Sequence, residues 1–374
     1  MNKKVILGLA FLTASTFADD IDSDLIAKGA RTMGQSASMA QQQQMQPSPL
    51  VTLTPASVKS EYGYYFVSEA LYWHAALDTT DFGWKNNAVG NGATSLTGPN
   101  HEIDFKWGWG LRVGGGMKLD CHDSWDSNIF FTWFNTKNSN TLGTNSSQMG
   151  IEFDQHRDVT QIKADRAIRY QMYDWTLGRW YSHSAYLAMR PFFGVRGGTI
   201  HQNHHKHVQL NAAEFPGQTA TQHQENHFWG VGISGGVNSK WLLCNFSGNH
   251  VSLLANFAGA LMYGRFNIDH VDRTFTNGAQ TAYFHPNHLN RHLAVPMLAA
   301  GLKLGWDTGF SQDQFHLAIN FGYEFEYWFR QLQSLSQINL TPNGATPAVA
   351  MATYSRNTSD LSFQGMTLDV RFDF

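Results

Sequence analysis

The chain reads as an all-β protein, a transmembrane antiparallel up-and-down β-barrel. Three observations predict this. Met366, Leu368, Val370, Phe372 and Phe374 are apolar at every second position of the last nine residues, with Thr367, Asp369, Arg371 and Asp373 between them. A final strand that is apolar on one face, polar on the other and stops on Phe suits a barrel closing on itself in a membrane. Aromatic residues make up 14% of the 374-residue chain and charged residues only 15%, against roughly 25% charged in a typical soluble domain, so much of the outer surface is expected to avoid water. No stretch reaches the roughly 18 consecutive apolar residues of a membrane helix, which excludes a helical membrane protein.

At the N-terminus, Lys3 and Lys4 precede an apolar run from Val5 to Leu12, and Thr16-Phe17-Ala18 leads into Asp19 and Asp20. This is the layout of a signal peptide, residues 1–18, cleaved after Ala18. The run is too short for a membrane anchor. Losing Lys3 and Lys4 from the 26 Lys and Arg leaves 24 against 29 Asp and Glu, a net −5 with no basic excess to suit nucleic acid. Residues 19–60 lack sustained periodicity, and Gln41 to Gln44 with Pro47, Pro49 and Pro55 mark a disordered Gln/Pro-rich periplasmic segment. The barrel occupies 61–374.

Alternation along that span predicts about ten strands: Tyr62 to Leu77, Ile103 to Leu119, Ser124 to Asn135, Ala167 to Tyr181, Ala185 to Ile200, His227 to Lys240, His250 to Ile268, Leu289 to Trp306, Gln314 to Leu332 and Leu361 to Phe374. Connections near Cys121, Ser182, Asn245 and Gly309 are short. Those at Asp78 to Glu102, Thr136 to Arg166, His201 to Asn226, Asp269 to Asn290 and Gln333 to Asp360 are long. Short periplasmic turns alternating with long extracellular loops are the habit of outer-membrane barrels. Met149 to Phe153 and Thr281 to Phe284 fit further hairpins, so twelve to sixteen strands stay open.

Within strands the two faces separate. Phe105, Trp107, Trp109, Leu111, Val113, Met117 and Leu119 share one parity, while Lys106, Arg112 and Lys118 share the other with several glycines. Phe315 to Phe329 alternates in the same way against His316, Asn320, Glu324, Glu326 and Arg330. The apolar rows are expected to face lipid and the others the lumen. Charge inside a membrane must face water or an opposite charge. Lys106, Arg112, Lys118, Arg190, Arg196, Lys303, Glu324, Glu326 and Arg330 are therefore the candidate pore-lining residues, with Glu69, Asp174, Asp369, Arg371 and Asp373 beside them. Either they line a water-filled channel or they neutralise one another in a closed interior, since small barrels hold little beyond side chains. Arg190 and Arg196 read equally as an anion-selecting wall or as structural partners of Asp174 or Glu324. Trp73 and Trp328 stand among the tryptophans that are candidates for interfacial girdles.

Phe66-Val67-Ser68-Glu69-Ala70-Leu71-Tyr72-Trp73, the Trp107 to Lys118 strand, Asp174 to Arg179 and the Arg190-Pro191-Phe192-Phe193-Gly194-Val195-Arg196 block occur in an order and at spacings that resemble the major outer-membrane protein family of Legionella and the Chlamydia-like bacteria. That resemblance implies an abundant porin-like protein of a Gram-negative outer membrane. It also makes cysteine cross-linking to other envelope proteins relevant. Cys121 and Cys244 both fall in short turns on the oxidising periplasmic side, where cross-links, an internal bridge and free thiols are all open.

The expected function is passive diffusion of ions and small hydrophilic solutes, with a plugged structural protein or adhesin as the alternative and an outer-membrane hydrolase behind both. No nucleophile elbow, zinc-protease helix or phosphate loop occurs, so no catalytic residue and no cofactor are expected. The loop carrying His201, His204, His205, His207, His223 and His227 has irregular spacing and no cysteine, and reads as a polar loop rather than a metal site. Expected partners are outer-membrane lipid, the barrel-assembly machinery through the C-terminal strand, disulfide-linked envelope proteins and other copies of the chain.

Overall fold

The computed structural model of the chain describes residues 63–78, 81–85, 99–119, 125–143, 149–150, 159–210, 212, 216–246, 248–285, 289–311, 314–340 and 351–374. The expected signal peptide, the 19–60 segment and Cys121 lie outside the described residues. Ten long strands build a barrel: β1 Tyr64–Leu77, β2 Gly108–Leu119, β3 Trp125–Gly143, β4 Val159–Arg179, β5 Leu187–Leu210, β6 Gln218–Phe246, β7 Asn249–Thr276, β8 Leu289–Phe310, β9 Phe315–Leu340 and β10 Met351–Asp373. Each pairs antiparallel with the next, and β10 pairs back onto β1 from Tyr65 with Asp373 to Leu77 with Leu361. The sheet is closed. At the rim where its ends meet, Tyr64 and Phe374 exchange backbone hydrogen bonds of 3.0 and 3.1 Å. We call this the near rim and the opposite one the far rim.

The ten strands are those that alternation predicts, but the connections are not. The expected loop His201 to Asn226 is paired backbone from Gln202 with Asn226 to Gln209 with Thr219. Pairing likewise enters the expected loop Thr136 to Arg166 as far as Gly143 with Gln161. These extensions lack a large apolar row, so the signal that marks membrane strands ends before the strands do. Of the two suspected hairpins, Met149–Gly150 joins Asp81–Lys85 and Asn100–Glu102 in a separate small sheet, and Ala279–Phe284 folds back on β7. Neither widens the barrel.

Period-two alternation decides the faces. Phe66, Trp109, Ile129, Tyr173, Ile233, Tyr263, Phe321 and Leu368 project outward and are exposed, whereas the residues beside them turn inward. Every backbone polar group in such a wall must be paired within the sheet, because hydrocarbon offers no partner. Two assignments change. Phe105 is buried inside and Lys106 is exposed, because residues 103–107 are irregular and β2 begins only at Gly108. Phe329 and Arg330 leave the alternation at a bulge between Trp328 and Leu332, where Arg330 has a left-handed φ of 53° and is exposed.

Glycines let bulky rings lie against the inner wall. Gly365 is the cross-strand neighbour of Trp73, and a Cβ there would meet the Trp73 ring at 3.0 Å and the Tyr72 carbonyl more closely still. Gly365→Val should therefore destabilise the folded barrel by about 1–3 kcal/mol through overpacking. Urea titration of the detergent-folded protein reads this directly, and an unchanged midpoint would refute the packing assignment.

Candidate functional site in the barrel lumen

Seven strands send a large ring into the lumen. Trp73 on β1, Phe134 on β3, Tyr170 on β4, Trp328 on β9 and Phe363 on β10 form one contact network. Ring centroids are 5.7 Å apart for Trp73 and Phe134, 5.8 Å for Trp73 and Phe363, 4.9 Å for Tyr170 and Phe363, and 6.1 Å for Tyr170 and Trp328. Phe228 on β6 and Phe266 on β7, 4.6 Å apart, complete the layer, with Met172, Met262 and Met297 between the rings. All seven rings are at most 1% exposed. Tilted and edge-on aromatic pairs add to the burial term. The rings belong to one buried cluster inside the barrel.

Beneath it, toward the near rim, the charges meet. Arg112 Nη1 lies 2.8 Å from Glu69 and 3.0 Å from Glu324, and Lys303 Nζ lies 2.6 Å from Glu69 and 3.0 Å from both Glu324 and Asp369. Two cations thus share three carboxylates contributed by β1, β9 and β10. A second group centres on Arg196, which contacts Glu326 at 2.5 Å and Asp174 at 3.4 Å and donates to the Tyr170 hydroxyl at 2.6 Å; that hydroxyl donates to Glu326 at 2.7 Å. Arg190 forms a third group, donating from Nε to Asp126 at 2.7 Å and from Nη2 to Asn128 at 3.2 Å. The upper two groups also touch the aromatic layer. Arg112 sits 5.6 Å from the centre of the Trp73 ring and Arg196 sits 5.4 Å from that of Trp328, in cation–π range.

A cavity of about 390 Å³ lies between this ionic wall and a wall of small side chains that includes Ser234, Ala258, Gly259 and Ala299. Its lining also includes Arg371 and Asp373 at the near rim.

Of the residues expected to line a pore, Arg112, Arg190, Arg196, Lys303, Glu324 and Glu326 come together inside. Each of the four bases is in contact with at least one carboxylate. Asp174 pairs with Arg196, and the partner of Arg190 is Asp126, which alternation had not brought forward. Lys118 stays near the rim, where a Cβ on Gly63 would meet its stem. Lys106 and Arg330 are exposed and outside the cluster. Cys244 is an exposed free thiol. Tyr170, Trp73 and Trp328 are lumenal, although aromatic residues on membrane strands read first as lipid-facing or girdle residues. The available signal was shared parity with inward acids, Trp73 with Glu69, Tyr170 with Asp174, and Trp328 with Glu324 and Glu326.

The histidines form a cross-strand ladder rather than a loop. His201 stacks on His227 with ring centres 3.7 Å apart, and His205 meets His223 edge-on at 5.9 Å. Among the described residues, no group of three or more His, Cys, Asp or Glu is disposed to hold a metal ion. His204 points inward on the part of β5 beyond its last exposed apolar residue, Val195. Burial, reinforced by Arg166 and Lys206, holds its imidazole well below the usual range.

A closed antiparallel barrel with an apolar outer band and charge sealed inside is an outer-membrane β-barrel protein. The model of the Legionella pneumophila major outer membrane protein precursor family matches residues 58–374, and the chain belongs to that family. The near rim is therefore periplasmic and the far rim extracellular. No curated protein sequence matches the chain. Similar solved structures include the Escherichia coli outer membrane protease OmpT, at 6% identity and TM-score 0.36 over 83% of this chain and 96% of that one. A Pseudomonas aeruginosa FadL homologue matches at 7% and 0.29 over 84% and 90%, and the Pseudomonas putida toluene transporter TodX at 10% and 0.27 over 87% and 92%.

Removing one member of the ionic group should cost far more than replacing the group. Lys303→Met leaves Glu69, Glu324 and Asp369 with Arg112 alone and should destabilise the barrel by roughly 3–5 kcal/mol, as expected when a buried charge loses its partner. Equilibrium unfolding of the variant measures this, and a loss below about 1 kcal/mol, the scale of an exposed pair, would contradict the buried assignment. His204 gives a pH dependence. Its pKa is lowered by folding, so the unfolded hairpin binds more protons below about pH 6.5. Stability of the β5–β6 extension is present above that pH and is lost as pH falls toward the folded pKa. Protection factors of the β5 amides, which correct for the intrinsic pH dependence of exchange, should fall on acidification, less so in His204→Gln, and equal slopes in both proteins would exclude His204 as the source.

Proposed function

We propose that this protein is a closed outer-membrane barrel, a structural component of the envelope whose lumen does not conduct at rest and which carries out no covalent chemistry. One observation supports this above the others: seven aromatic rings from seven strands, each at most 1% exposed, pack into one buried cluster inside the barrel. Ion pairs beneath the layer hold the strands together across the barrel, which suits a rigid wall. The exposed thiol of Cys244, close to the periplasmic β6–β7 turn, suits disulfide cross-links to other envelope proteins.

A second reading, passive diffusion of ions and small hydrophilic solutes, draws on the cavity of about 390 Å³ with its charged wall, which would become the periplasmic half of a channel if the aromatic layer parted. Under that reading Arg196 is a poor selectivity probe. Arg196→Glu would set a third acid against Asp174 and Glu326 and is expected to block folding rather than to change ion preference.

Planar-bilayer recording separates the two readings. The refolded wild-type barrel is expected to insert silently, and Trp73→Ala combined with Trp328→Ala, which removes two rings of the layer, to give discrete conductance steps. Reproducible steps from the wild type would overturn the closed reading in favour of diffusion.

A further inference from the structure

The barrel wall has a break on its extracellular side. The β7–β8 ladder runs without interruption to Ile268 with Leu289, but the β8–β9 ladder stops at Met297 with Trp328. From Leu289 to Pro296, β8 is paired on one side only among the described residues. The missing neighbour has turned inward. After Trp328 the chain bulges, three residues of β9 facing the single Asp360 of β10. The Gln331 carbonyl then accepts hydrogen bonds from Gln202 Nε2 on β5 at 3.4 Å and from Asn226 Nδ2 on β6 at 3.2 Å. β9 therefore crosses the lumen mouth instead of continuing the wall.

This arrangement is costly in three independent ways. Gln331 is fully buried with neither Oε1 nor Nε2 bonded, and Gln202 Oε1 and Asn226 Oδ1 are buried without partners as well. Each such group carries an uncompensated desolvation penalty. Arg330 sits at a left-handed φ of 53°, a region unfavourable to a side chain. The edge of β8 leaves its ladder unfinished. Opposing these costs, Asp360 clamps the bulge, accepting from the Arg330 backbone N–H at 2.7 Å and from the Tyr327 hydroxyl at 2.6 Å.

We infer that β9 is the gate of this barrel: Phe329 to Ser334 leaves the lumen mouth and zips onto the free edge of β8, restoring the wall and opening the extracellular end. Continuing the register from Met297 with Trp328 places Phe329 opposite Pro296, Gln331 opposite Ala294 and Leu332 opposite Leu293. The parity fits. Leu332 falls on the inward face beside Leu293 and Val295, Phe329 falls outward next to Tyr327, Gln331 falls outward beside the exposed Ala294, level with Tyr263, and Arg330 turns toward the lumen mouth opposite Val295. The inference rests on the reading that the lumen is closed at rest. Pairing of an external extended segment with the same edge is the competing outcome.

Two cysteine pairs, in a chain with Cys121 and Cys244 changed to Ser, test it in native outer membranes. Ala294→Cys with Gln331→Cys cannot join in the closed arrangement, where one residue is exposed outside and the other buried inside, but the two stand directly opposite one another in the zipped one. Asn226→Cys with Gln331→Cys reports the closed arrangement. Oxidation is expected to trap both pairs, and Asp360→Ala, which removes the clamp, to raise the yield of the first at the expense of the second. In bilayers, conductance should appear when the first pair is oxidised and vanish on reduction. A folded protein, judged by heat-modifiable mobility, in which the first pair stays reduced while the second forms fully would overturn the gate, as would cross-linking of the thiol introduced by Ala294→Cys to another protein instead. Conductance that persists with the second pair oxidised would instead refute the closed reading on which the gate rests.

Discussion

Closure of the sheet is the constraint from which the rest of this structure follows. In hydrocarbon an unpaired backbone edge has no partner, so β10 must return to β1, and the reciprocal hydrogen bonds of Tyr64 and Phe374 mark where it does. Closing with ten strands fixes a narrow lumen. A lumen of that size is filled by side chains rather than by a broad water column, and the chain fills it in two ways. Rings occupy the extracellular half of the membrane span, and mutually neutralising charges occupy the half below.

The two fillings depend on each other. Arg112 and Arg196 each bind carboxylates on one side and an indole face on the other, so the ionic groups fix the height of the aromatic layer and the layer covers them on the extracellular side. Low local dielectric then makes each pair stronger and each broken pair more harmful. The glycines have the complementary role. Gly365 beside Trp73, and Gly264 beside Phe228, keep the wall thin where a ring needs room. The closing rule is relaxed only at the extracellular margin of the apolar band, where among the described residues Leu289 to Pro296 has one free edge and its last residues lie level with Leu261 and Tyr263.

Much of the fold was legible because membrane strands carry a strict two-residue code. Met366 to Phe374 showed which face meets lipid, and the same parity placed Arg112, Arg190, Arg196, Lys303, Glu324 and Glu326 inside. Less legible were the features for which that code has no symbol. Trp73, Tyr170 and Trp328 are as apolar as their lipid-facing neighbours, so composition could not separate filler from girdle. The extension from Gln202 to Gln209 is paired on both sides, yet carries polar residues on both faces and reads as loop. Pairing beyond the neighbouring strand, Arg190 with Asp126 and Arg196 with Glu326, depends on barrel size and stagger, which no single strand encodes. The bulge at Phe329 to Gln331 was hidden at its start because Phe329 and Arg330 continue the alternation that the backbone abandons.

The claim that the aromatic layer seals the lumen is tested most directly by the reactivity of a thiol within it. Ala75 is fully buried among the layer residues and small enough to become cysteine with little disturbance. With Cys121 and Cys244 changed to Ser, Ala75→Cys in the folded, membrane-inserted barrel should resist a small water-soluble thiol reagent and react only after unfolding. Ala299→Cys, which lines the cavity below the layer, serves as the reference. Modification of Ala75→Cys as fast as that of an exposed cysteine would mean that water passes through the layer, and would contradict the account of a closed barrel.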